Sequence, residues 1–192
     1  MQSVIRERII ESLLRIPPLV DHYSQQNNAF PELTMRWLSD TEHSLQPFRL
    51  PLVSRLASLR GMIIAGGDGL SLSAGQVSAG RNPRKLRRST TMNLLQQAEE
   101  TLHNHCQKID QELDDYRDKL AQILAVASAR EALPGGDFNS VHYIDQLWKT
   151  ACSAQENTTM AQYVSARLSE TDRRYLMVDI VRQLMTSRKD GD

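Results

Sequence analysis

Aromatic side chains are scarce in this sequence: two Trp, five Tyr and three Phe in 192 residues. That scarcity disfavours a β-sandwich, whose strands favour aromatic and β-branched residues, and a sheet that stacks bases on aromatic rings. Cysteine is scarcer still. Cys106 and Cys152 are the only two, too few for a disulfide framework, and neither a C-x-x-C nor a cysteine–histidine zinc spacing occurs. A reducing, cytoplasmic setting is expected from this usage. The opening MQSVIRERIIESLLRI carries charges through its apolar part, unlike a signal peptide. No apolar run approaches the roughly 18 residues that span a bilayer, so no membrane partner is expected. Nor does one charge dominate: 23 Lys+Arg balance 23 Asp+Glu, which excludes a histone-like polycation and an acidic solvating tail.

What is present is helical spacing, and the expected fold class is all-α. Ile5, Ile9 and Leu13 repeat at i, i+4, i+8, with Arg6, Glu7, Arg8 and Glu11 on much of the other face. Arg6 and Arg8 share that face with acids, whereas a membrane-surface helix favours a clearly basic one. Pro17 and Pro18 stop this helix. A second helix follows Pro31, with Leu33, Trp37 and Leu38 as its stripe, and a third runs from about Pro51 to Ile64. Short connections make residues 1–64 a small helical unit. Residues 65–88 then read as a flexible linker, rich in glycine and serine and basic at its end.

From about Ser89 to Ala132 one long pattern follows. Heptad positions 92, 95, 99, 102, 106, 109, 113, 116, 120, 123 and 127 hold apolar or small residues except at Glu99, the mark of a coiled coil or long bundle helix. Roughly 40 residues at 1.5 Å each make a rod of about 60 Å, longer than a compact domain of this size needs. The expected protein-binding seam is Leu102, Ile109, Leu113, Tyr116, Leu120 and Ile123, buried against a second copy, the chain's own helices or a partner helix. Residues 133–192 form a C-terminal helical bundle, opened by Pro-Gly-Gly and capped at Asp137, Asn139 or Ser140. Ser169-Glu-Thr-Asp172 resembles a capping box with Asp in place of Glu or Gln.

Charge is uneven along the chain. Residues 1–90 hold twelve Lys+Arg against seven Asp+Glu, and residues 91–192 eleven against sixteen, which points to an electrostatic partner or to attraction between the halves. The densest cluster is Arg81, Arg84, Lys85, Arg87 and Arg88. Guanidinium groups at the end of a loop neutralise phosphates and release counterions. They equally suit a protein contact, for instance with the acidic stretch 99–118, or plain solvation. No base-reading element accompanies them, so sequence-specific recognition does not follow.

The remaining candidates for chemistry are weaker. His103 and His105 sit about 200° apart around a helix and cannot both face one ion, and Cys106 falls on the apolar seam. His22, His43 and His142 belong to no nucleophile–base motif. Ala65-Gly-Gly-Asp-Gly69 lacks the Lys-Ser/Thr of a phosphate loop, and Asp114 with Asp118 reads as a solvated helix face. No catalytic residue, cofactor or metal is assigned. The last two helices have a helix-turn-helix outline, but the second is too rich in Leu, Val, Ile and Met to read bases. Only Arg173 and Arg174 at its start would touch phosphates. The expected function is a non-enzymatic scaffold or adaptor subunit of a protein assembly acting through helix–helix contacts. The alternative is an accessory nucleic-acid-binding subunit using the basic linker.

Overall fold

The computed structural model describes residues 1–67, 83–130, 136–137 and 140–189. Among them the chain is all-α, with no strand. The helices are α1 (Gln2–Leu13), α2 (Ile16–Ser24), α3 (Phe30–Leu45), α4 (Pro51–Gly67), α5 (Pro83–Arg130), α6 (Val141–Ser153), α7 (Thr158–Arg167) and α8 (Glu170–Lys189). Two 3₁₀ turns, Gln46–Phe48 and Gln155–Asn157, lead into α4 and α7. No helix among the described residues is long and apolar enough to cross a membrane. The chain divides into two compact units, Val4–Lys108 and Met1–Ser3 with Ile109–Asp192.

In the unit Val4–Lys108, Pro17 and Pro18 do two things. They follow the end of α1 at Leu13, and they occupy the first turn of α2. A missing N–H costs nothing there, because first-turn N–H groups have no helical partner. Pro31 starts α3 in the same way. α4 packs back along α3, burying Leu52, Leu56, Leu59 and Ile63 at helical spacing. Phe30, Trp37, Leu38 and Leu45 of α3 meet them in the core. The Trp37 indole N–H donates to the Ser12 carbonyl at 3.0 Å, so its polar edge is satisfied inside the core. Arg60 donates to both carboxylate oxygens of Glu42, at 2.8 and 3.0 Å, across α4 and α3. Residues 83–108 of α5 complete the unit through Leu94, Leu95, Ala98 and Leu102.

In the second unit, Ile109, Leu113, Leu120, Ile123 and Leu124 of α5 share a core with Ile144, Leu147 and Ala151 of α6, Val164 of α7 and Met177 of α8. Asn157, 3% exposed, donates to the carbonyls of Ile123 and Ala151 at 2.9 and 2.8 Å. One amide thus pins the turn before α7 to α5 and to the end of α6, where helical carbonyls lack partners. Ser140 caps α6, accepting from the Tyr143 N–H. Gly136 lies beside it against the Tyr143 ring, which a Cβ at that position would displace.

The sequence places the start of the long helix at Ser89, whereas α5 begins at Pro83. Arg84, Lys85, Arg87 and Arg88 therefore sit on a helix and not at the end of a loop. Of the expected linker 65–88, residues 65–67 finish α4 and residues 68–82 lie outside the described residues.

Candidate interaction surfaces

The heptad seam comes first. Leu102, Ile109, Leu113, Leu120 and Ile123 are each 5% exposed or less within the single chain. Tyr116 is half-buried, its ring 6.4 Å from that of Tyr163 on α7. Desolvation and the neighbouring Tyr163 raise the Tyr116 phenol above its ordinary value. Within the single chain, five of the six seam residues are thus buried and Tyr116 partly so. Glu99 does not break the seam, because the buried stripe passes through Ala98 instead.

The basic cluster divides. Arg81 lies outside the described residues. Arg88 donates to the Tyr23 carbonyl at 2.5 Å, and its guanidinium lies over the Tyr23 ring, 5.3 Å from the centroid. Arg87 faces Glu32 at 3.9 Å, a long, surface-exposed pair of small worth. Arg84 and Lys85 are exposed. A cleft of about 860 Å³ runs between the end of α2 and the start of α5, lined by Tyr23, Ser24, Gln26, Asn28, Arg84, Lys85, Leu86, Arg88 and Ser89.

Arg173 and Arg174 are already engaged. Arg174 donates to both oxygens of Asp145, at 2.9 and 2.7 Å, and to Glu170 at 2.6 Å. The hydrogen bond from Arg174 holds the Asp145 carboxyl below its ordinary range. The Arg173 side chain is 13% exposed and lies over the Trp148 ring at 4.9 Å. Phosphate contact by this pair would require giving up these interactions.

Two features escape the sequence reading. One is a groove of about 280 Å³ between α6 and α8, bordered by Val141 and Tyr175. These two are 58% and 53% exposed. Ile144, Val178, Arg174, Asp179 and Arg182 also line the groove. The other is a clasp around Asp172, which is 0% exposed. Ser169 caps α8 by accepting from the Asp172 N–H at 3.2 Å, as a capping box requires. The carboxylate, however, reaches beyond its own helix. It accepts from the Met1 ammonium, the Gln2 and Ser3 N–H groups at 2.8 and 2.9 Å, the Ser3 hydroxyl at 2.5 Å and the Ser169 hydroxyl at 2.6 Å. Burial pushes this carboxyl up, but those hydrogen bonds outweigh burial and hold it far below the usual range. A side chain of α8 thereby caps the N-terminus of α1 some 170 residues away, a partnership no local spacing encodes.

Among the described residues no three His, Cys, Asp or Glu side chains gather as metal ligands. Cys106 is buried on the apolar stripe, and burial pushes the Cys152 thiol up. No family model, curated protein or solved structure matches this chain.

Proposed function

We propose that the protein is a non-enzymatic helical adaptor subunit of a larger assembly, and that it docks a partner protein on the groove between α6 and α8. The observation that carries this reading is the pairing of Val141 and Tyr175, both more than half exposed, on either side of one groove. Single exposed apolar residues are ordinary, but two that border a shared concavity over apolar residues form a patch of the kind that anchors partners. The ionisable side chains point the same way. Asp172, Asp145, Arg174, Arg60 and Glu42 are each used to tie helices together, which is a structural use and not a catalytic one. The heptad seam supplies the frame of this adaptor and not its contact.

The test is affinity purification from the source cells of the tagged chain and of the Val141→Asp/Tyr175→Asp variant. The wild type is expected to retain a stoichiometric partner that the variant loses, with far-UV circular dichroism unchanged. A wild type that carries no stoichiometric partner, or a variant that keeps the same one, overturns the proposal.

A further inference from the structure

We infer that the cleft between the end of α2 and the first turns of α5 binds a phosphate-bearing ligand, with the backbone of a nucleic acid as its source. Arg84, Lys85 and Arg88 all line it, and among the described residues no carboxylate does. On a helix these positions fall within about 100° of one another, so the three charges share a face. Arg88 is fixed in place by the Tyr23 carbonyl and ring. A guanidinium already ordered by the protein loses little freedom when an anion arrives. The Nε of Arg88, a residue that lines the cleft, has no hydrogen-bond partner. On the α2 side, Gln26 and Asn28 supply neutral amide donors, while the Ser24 hydroxyl already donates to the Val20 carbonyl at 3.0 Å. The cleft's volume of about 860 Å³ lies within the roughly 300–1,000 Å³ of ordinary ligand sites. The long helix adds the positive end of its dipole at Pro83, which favours an anion there.

The chemistry is that of phosphate recognition without base reading. Tyr23, the aromatic ring in the cleft, has the Arg88 guanidinium over its face and Phe30 against it, with centroids 5.3 Å apart, so it offers no stacking platform. Three neutralised phosphates set a slope of log affinity against log salt of about −2.7 on a duplex and about −2.1 on a single strand. Binding should then weaken roughly 40-fold and roughly 20-fold, respectively, between about 50 and 200 mM salt. The inference is independent of the α6–α8 groove, and the two are tested with different variants.

Fluorescence anisotropy of a labelled duplex and a labelled single strand tests it at those two salt concentrations, with the full chain and its Arg84→Glu/Lys85→Glu variant. Both substitutions are at exposed positions, and a circular dichroism melt confirms that the variant folds. A parallel titration of inorganic pyrophosphate, followed by the ³¹P line width, separates the two sources of phosphate. Salt-sensitive strand binding that the variant loses supports the inference with nucleic acid as ligand. Pyrophosphate binding without strand binding, again lost in the variant, upholds the cleft and reassigns it to small phosphates. Neither ligand binding at about 50 mM salt, or a variant that binds as wild type does, overturns it.

Discussion

The two compact units are built differently. Val4–Lys108 is packed by volume: Phe30, Trp37, Leu38, Leu45, Leu56 and Leu59 fill its core. Its buried hydroxyls among the described residues, Ser12, Thr34, Thr41 and Thr91, donate to carbonyls four residues back, at 3.0, 2.9, 2.8 and 2.9 Å. The unit of Met1–Ser3 and Ile109–Asp192 uses smaller side chains, among them Ala127, Ala151, Ala161 and Val164. It is pinned by two buried polar groups, Asn157 and Asp172, that reach across long stretches of sequence. Their charges differ too. The first unit holds thirteen Lys+Arg against nine Asp+Glu, a net +4, and the second ten against fourteen, a net −4. Large apolar residues at regular spacing make a core that tolerates local adjustment. Polar pins make a core that depends on single atoms, since a buried partner left alone costs its full desolvation.

The sharpest break should come at Asp172. Asp172→Ala strips the carboxylate from the Met1 ammonium and from the N–H groups of Gln2 and Ser3. Hydrogen bonds to a charged group are worth about 1.5–3 kcal/mol each, and with the Met1 ammonium largely exposed the loss should be about 3 kcal/mol, to be read from urea unfolding of the second unit. Because the folded-state value of Asp172 is depressed, its contribution is fully present above an unfolded value of about 3.9 and fades as pH falls below it. Wild-type stability should therefore decline more steeply than that of Asp172→Ala below about pH 4. Parallel declines would show that the clasp is not electrostatic.

A paired substitution sharpens the contrast at smaller magnitude. Asn157→Ala leaves the Ala151 carbonyl at the end of α6 without its donor and should cost about 1–3 kcal/mol. Thr34→Val removes a hydroxyl bonded within its own helix and should cost less than about 1 kcal/mol. Equal losses in chemical denaturation would erase the distinction between a pinned and a filled core.

How much of this was legible in the sequence follows from the same contrast. The all-α class, the start of α3 at Pro31 and the stripe of α4 are spacing signals, and spacing survives in a linear reading. Pro17 and Pro18 were legible as the stop of one helix but not as the start of the next, because both roles fit the same ring. The start of α5 was misplaced at Ser89 because serine and threonine resemble caps. Ser89 and Thr91 instead bond back to the carbonyls of Leu86 and Arg87. The heptads identify an apolar stripe but carry no record of what covers it, so a second copy, the chain's own helices and a partner helix all fit Leu113 and Leu120 equally in the sequence. Asp172 was recognised as a cap residue, while its partners at Met1, Gln2 and Ser3 depend on the tertiary fold. The α6–α8 groove is tertiary in the same sense: Val141 and Tyr175 are unremarkable until two helices set them side by side.

The heptad seam, buried within the single chain, holds this chain together. Thermal unfolding of the Leu113→Asp/Leu120→Asp variant, followed by circular dichroism beside the wild type, tests it most directly. Charges placed at positions 5% and 0% exposed are predicted to abolish the cooperative transition of the second unit. A variant that keeps wild-type helicity and the wild-type Tm would contradict the account and return the seam to the surface.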